Sequence, residues 1–357
     1  MKVNIFILVV LYVVYFGVLI TLGYLSYKMP SFLKGKPNKS SEENEEIKVT
    51  SQNYIYTIIL LSIVGILVNT YILVQGTALE SHLMEWLNII IRVMHITFGI
   101  AWIGASFYFV FLENALNRTE DVREELAGNL WAVHGGGFYY LEKYKVAPKT
   151  IPKDLHWFKY EAYFTWLSGF CLLFVVYYFN ASAFLIDKNV LDITATQGIL
   201  IGVGSFVVSW LIYDLMCKSA LIKNQLAFAI IGFIILIGFA WFYCHVFSAR
   251  AAYIHFGAMI GSIMVANVFF VIIPSQKAMV KAAKLGLPLD PTLGKKALAR
   301  SLHNNYFTLP VLFVMVSNHF PSTFGYEHPW LILGIISLGA AGVKHYLKKK
   351  KKKQLNV

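Results

Sequence analysis

Residues 86–111, WLNIIIRVMHITFGIAWIGASFYFVF, decide the fold class, because they carry a single charge, Arg92, in a run of 26 positions. A helix needs roughly 20 consecutive apolar residues to cross a bilayer, so this run is long enough to span one. Its polar and small residues are not scattered. Arg92, His95, Gly99, Trp102, Ser106 and the later Glu113 are separated by 3, 4, 3, 4 and 7 positions, which puts them on one helical stripe. The stretch therefore predicts a spanning helix with one face toward protein and the rest toward lipid.

Further apolar runs lie near 5–27, 54–75, 161–180, 195–216, 226–248, 252–273, 304–320 and 329–347. With 57% hydrophobic and 14% charged residues over 357 positions, the chain has too few charges to cover a water-soluble globule. The expectation is an all-α, polytopic transmembrane bundle of about nine helices. The first run is longer than a signal-peptide core and no small-residue cleavage site follows it, so it reads as a retained helix. Three parts follow: two N-terminal helices with a polar linker at 1–83, a membrane body at 84–347, and a basic tail at 348–357.

The net charge of +12 is explained by topology rather than by nucleic acid. Lys and Arg concentrate in alternate loops: five Lys in 28–52, five Lys and two Arg in 112–160, Lys218 and Lys223, then five Lys and Arg300 in 274–303. The intervening loops hold Lys188 and Arg250 alone. By the positive-inside rule the N-terminus is outside and the C-terminus inside, in a cell inner membrane, with the Lys348–Lys353 run meeting anionic lipid. Cys171, Cys217 and Cys244 are isolated and form no CxxC or CxxCH pair, which argues against a disulfide framework, a thiolate zinc site and an attached c-type haem.

Two inner loops are too substantial for simple connections, 112–160 and 274–303; in the second, 278–283 and 295–302 read as short amphipathic surface helices. Histidines divide by depth. His95, His255 and His319 fall toward the outer side. His95 has Gly99 one turn away, and His255 sits in IHFGAMIGS, so space exists for a flat ligand, with two of the three serving as axial ligands to haem b. The competing reading is that they hydrogen-bond neighbouring helices. On the inner side, His134 opens HGGGFY, where Gly135, Gly136, Gly137 and Tyr139 offer close backbone approach. His156 lies beside Lys159 and Glu161, and His303 beside Arg300, Asn304 and Asn305. Imidazoles, amides and cations of this kind suit a planar, polar, anionic small molecule.

Five stretches, RVMHITFGIAWIGASFYFVFLEN (92–114), LWAVHGGGFYYLEKY (130–144), LHWFKYEAYFTWLSGF (155–170), RAAYIHFGAMIGSIMVANVFFVIIPSQ (250–276) and RSLHNNYFTLPVLFVMVSNH (300–319), closely resemble the bacterial membrane-bound urate hydroxylase family, whose membrane part is the urate oxidase N-terminal domain. The likeness covers roughly 84–347. It implies a role in purine catabolism: an oxidoreductase converting urate to 5-hydroxyisourate at the cytoplasmic side and passing electrons to a respiratory cytochrome. Well-known members carry a cytochrome c domain after the membrane part. This sequence ends in KKKKKKQLNV, so the expected acceptor is a separate cytochrome c or other carrier. His134, His156 and His303 stand as catalytic candidates. Two other classes stay open: a haem-dependent membrane oxidoreductase similar to the membrane protoporphyrinogen oxidases, and a purine-binding transporter, for which Pro310 and Arg92 would serve equally.

Overall fold

A computed structural model of the chain describes residues 72–355 except 120 and 149, together with scattered positions between 62 and 70, and the side chains as far as 343. The expected 5–27 helix, most of the 54–75 helix, the 34–52 linker and the side chains of the Lys tail lie outside the described residues.

The chain divides into two units, Met1–Trp86 and Leu87–Val357. In the first, the backbone turns at Gly76, whose φ of 76° suits a residue without Cβ, and its N–H is held by Glu80 Oε2 at 2.7 Å. Helix α1 (Ala78–Ala115) begins there, with the Thr77 hydroxyl accepting from Leu79 N at 3.3 Å.

The second unit is a helical bundle. After α1 come α2 (Tyr160–Leu173), α3 (Ala195–Lys218), α4 (Gln225–Cys244), α5 (Ala249–Asn267), α6 (Ile273–Lys284), α7 (Pro291–Ser317) and α8 (Pro329–Leu355). Among the described residues, five helices are long and apolar enough to cross a membrane: 79–115, 160–178, 195–218, 225–244 and 249–284. They mark the chain as a membrane protein.

Helix α5 is the axis of this unit and packs against α2, α3, α4 and α7. Its sequence explains the position: Ala, Gly and Ser alternate with Met, Ile and Phe, so most of its circumference is buried, with a half-buried stripe at Ile254, Ala258 and Gly261. Gly257 lies so close to α7 that a Cβ there would stand 2.7 Å from Val314 Cγ1. By contrast, α1 turns Ile90, Val93, Ile96 and Ile100 outward, as its one-stripe pattern requires.

Among the described residues, two helices carry a π turn. Tyr160–Leu173 continues into Phe174–Tyr178, where Phe179 N reaches Phe174 O at 2.9 Å, and α5 continues through Val268–Ile272 into α6. The 278–283 segment is thus the end of a long helix rather than a separate surface piece. Likewise 295–302 belongs to α7, which starts at an Asp290 cap and runs unbroken into its apolar half.

The described residues are mostly helical, as the all-α expectation has it, with one segment of a different kind. Within 112–160, β1 (Leu126–His134) and β2 (Gly137–Tyr144) pair antiparallel, with Trp131 opposite Tyr140 and Val133 opposite Phe138. Gly135 and Gly136 form its two-residue turn at φ 59° and 79°, positive at both central positions as a type I′ turn demands. The glycine run therefore makes a hairpin, aided by aromatic and β-branched strand residues.

Candidate functional site

The richest polar cluster is built by α3, α5 and α7 at one end of the bundle. Asp214 ends the interior face of α3, and its two oxygens take different cations: Arg300 Nη2 donates to Oδ1 at 2.6 Å and Lys218 Nζ to Oδ2 at 2.5 Å. Arg300 and Asp214 are deeply buried, with side chains 3% and 6% exposed, whereas Lys218 is 60% exposed and opens the cluster to its surroundings. The second arm of Arg300, Nη1, donates to Asn267 Oδ1 at 3.0 Å.

Asn267 then passes the network on. Its Nδ2 donates to Asn304 Oδ1 at 3.0 Å and to Tyr213 OH at 3.2 Å, while Asn304 Nδ2 donates to the Met264 carbonyl at 3.0 Å. Tyr213 OH lies 2.7 Å from His303 Nδ1, and Cys217 Sγ lies 4.0 Å from the same nitrogen. The Phe228 ring of α4 stacks on His303 with centroids 5.1 Å apart, and the Arg300 guanidinium sits 4.9 Å above the Tyr213 ring. Such a cluster is costly inside a membrane protein unless each member is satisfied, and here each is. Two cations face one carboxylate, which leaves an excess positive charge.

A second polar point lies along α3. His255 is fully buried, and its Nδ1 is 2.8 Å from the Ala251 carbonyl, which can only accept, so Nδ1 carries a proton. Nε2 faces the Tyr178 hydroxyl at 3.0 Å. Phe247 and Phe206 crowd the ring at centroid distances of 4.5 and 6.0 Å, and a Cβ at Gly202 would meet Tyr178 OH at 2.6 Å and His255 Nε2 at 3.0 Å. Each π turn adjoins one of these centres: Tyr178 ends the first and Asn267 precedes the second, in keeping with π turns marking special sites.

The expected site residues distribute as follows. His303, Arg300 and Asn304 are brought together; Asn305, half-buried beside them, takes no part in the described network. His134 sits at the hairpin turn, exposed, with Gly135 and Gly136 forming the turn and Gly137 and Tyr139 lying in β2. His156 is exposed, with Nε2 3.9 Å from Glu161 Oε1, and Lys159 lies over the Tyr160 ring at 4.7 Å.

The haem reading meets a geometric obstacle. His95 Nδ1 is 3.0 Å from the Thr165 carbonyl, which leaves Nε2 with its lone pair, the arrangement an iron ligand needs. His255, however, has both nitrogens engaged in a filled aromatic surround, and His319 is exposed at the end of α7. His95 is held by Thr165 and Ser168 of α2, and His255 by Tyr178, Ala251 and Phe247. No group of three or more His, Cys, Asp or Glu able to hold a metal occurs among the described residues.

Sequence reasoning missed Asp214, Lys218, Tyr213 and Asn267 as site residues. Asp214 had a signal: it is a carboxylate inside the apolar 195–216 run, where ionisable groups are expensive. Asn267 had none, since its role depends on which helix meets α5.

Fold and site together define a membrane-embedded helical protein with a cationic polar cluster held between two candidate spanning helices, α3 and α5, and α7. The family model for the urate oxidase N-terminal domain matches residues 81–357, and the chain belongs to that family. Membership places it among urate-related oxidoreductases. No curated protein and no solved structure matches.

Proposed function

We propose that the chain oxidises urate to 5-hydroxyisourate on the cytoplasmic side of the membrane and hands the electrons to a separate respiratory carrier. The reaction consumes one water and releases two electrons and two protons, so it needs an anion site, a proton acceptor and an external oxidant. Family membership supports the substrate class. The observation that carries the siting is the Asp214–Arg300–Asn267–Tyr213–His303 network, with its excess positive charge and its exposed Lys218.

Urate is a planar anion at neutral pH, rich in carbonyl acceptors and N–H donors. Arg300, Lys218 and the two Asn amides supply matching donors and acceptors, and His303 stacked on Phe228 presents a flat aromatic surface at the cluster's edge. The protein groups satisfy one another, so an anion enters by exchange: it takes Lys218 from Asp214 and a donor from the Asn pair. His303 is placed to receive a proton, with Tyr213 fixing its ring through Nδ1. Haem is assigned no part in these steps.

The test is anaerobic turnover by the purified full chain, with urate and an artificial electron acceptor such as ferricyanide. The expected result is loss of urate with two acceptor molecules reduced per urate, abolished in His303→Ala. Wild-type protein that binds urate without reducing the acceptor, or leaves urate unbound, would overturn the proposal.

A further inference from the structure

The β1–β2 hairpin carries more apolar surface than its place outside the helical bundle explains. Its root is firmly attached. The exposed Glu113 at the end of α1 binds Arg118 at 2.8 Å and also Lys143, Arg123 binds Glu142, and Asn117 N donates to Asn129 O at 2.8 Å. Beyond this root, residues 130–141, LWAVHGGGFYYL, contain no Asp, Glu, Lys or Arg. Strand alternation puts Trp131 and Val133 of β1 on the same face as Tyr140 and Phe138 of β2. All four are exposed, at 68%, 67%, 47% and 79%.

A two-stranded hairpin in water is marginal on its own, and an uncharged aromatic face of this kind needs a cover. We propose that this face rests on the bilayer, with Trp131, Val133, Phe138 and Tyr140 dipped into the headgroup boundary and the His134–Gly136 turn lying among the headgroups. Three observations select lipid. The hairpin root is tied to the end of a spanning helix whose last turns carry the exposed Tyr108 and Phe109. Phe109 and Phe158 touch at 4.9 Å, so the aromatic belt at that level is continuous between α1 and the start of α2. The composition of the face, Trp and Tyr with Phe and Val, is the one that favours the membrane boundary.

A carrier protein is the less suitable occupant, because transient redox partners are steered by charge and this tip has none. Full insertion is excluded by the outer strand edges beyond the Asn117–Asn129 bridge, which carry no further strand, so that their N–H and C=O groups require water. The hairpin thus acts as a strut along the boundary, anchored through Glu113 and Asn117 to the end of α1.

The experiment uses the full chain in vesicles of phosphatidylcholine and phosphatidylglycerol. Phe138→Cys is labelled with an environment-sensitive fluorophore, and labelling of native thiols is subtracted using the parent chain. The expected result is blue-shifted emission, strong quenching by lipids with a nitroxide near the headgroup, and weak quenching by aqueous iodide. Water-like emission quenched by iodide would overturn the proposal, as would a blue shift that requires an added soluble protein. Should Phe138→Cys fail to fold, Trp131→Phe provides a second reading: shallowly brominated lipids should quench the tryptophan emission of the parent chain measurably more than that of the variant, and equal quenching would refute the dipped face.

Discussion

Replacing Arg300 by Met removes a cation from a carboxylate that is itself buried. Breaking a buried ion pair from one side costs about 3–5 kcal/mol, because the remaining charge is stranded away from water. Here Asp214 keeps Lys218 at 2.5 Å, so the lower end, about 3 kcal/mol, is the expected loss. Part of that loss comes from Asn267 Oδ1, which gives up the Nη1 donor 3.0 Å away; an unsatisfied buried acceptor costs about 1–3 kcal/mol. Asp214→Asn strands Arg300 and frees Lys218, with a loss of similar size. The double variant removes both stranded charges, so the two effects should fall short of additivity by about 0.5–3 kcal/mol, the coupling seen for residues in one network. The assay is a double-mutant cycle by reversible denaturant titration in mixed micelles, followed by tryptophan emission. Single losses under about 1 kcal/mol, or strict additivity, would show that this pair does not organise the junction of α3 and α7.

Other predictions follow from local geometry. Gly257→Leu should force α5 and α7 apart at Val314, lowering stability by about 1–3 kcal/mol or more in the same titration, because overpacking a filled contact displaces backbone. Gly202→Val should break the Tyr178–His255 contact and leave the His303 cluster intact, seen as altered ring resonances for His255 alone. Asp290 caps α7: the Thr292 hydroxyl and backbone N–H hold its carboxyl below the usual carboxylate range. The sign follows from that direction: a depressed folded pKa means the cap is fully present above the unfolded carboxylate pKa of about 3.9 and is lost as pH falls through the folded value. Amide exchange at Thr292, corrected for its intrinsic pH dependence, should therefore speed up only in acid, and in Asp290→Ala it should be fast throughout.

Much of the bundle was legible in the residues. The 92–113 stripe predicted a face of α1 toward protein, and His95 does meet α2 at Thr165 while the intervening isoleucines are exposed. The RSLHNN motif placed Arg300, His303 and Asn304 together because neighbours three and four apart share a helical face. What was not legible depends on contacts between distant segments. Tyr213 and Asn267 join the cluster only because α3 and α5 pack beside α7, a choice that hydropathy does not encode. The glycine run at 135–137 fitted both an anion loop and a hairpin turn. The alternating apolar strands on either side, Trp131 and Val133 against Phe138 and Tyr140, were the discriminating signal. The polar helix ends at 278–283 and 295–302 resemble separate surface helices when read by charge alone, although each belongs to a longer helix.

The proposed function requires that the Arg300–His303 cluster hold an anionic purine. Equilibrium binding of urate to the purified full chain at neutral pH tests it most directly, comparing wild type with His303→Ala and His134→Ala. The account predicts that His303→Ala weakens binding about tenfold, equivalent to about 1.4 kcal/mol, while His134→Ala at the exposed hairpin turn leaves it unchanged. Equal affinity in wild type and His303→Ala, or loss confined to His134→Ala, would contradict it.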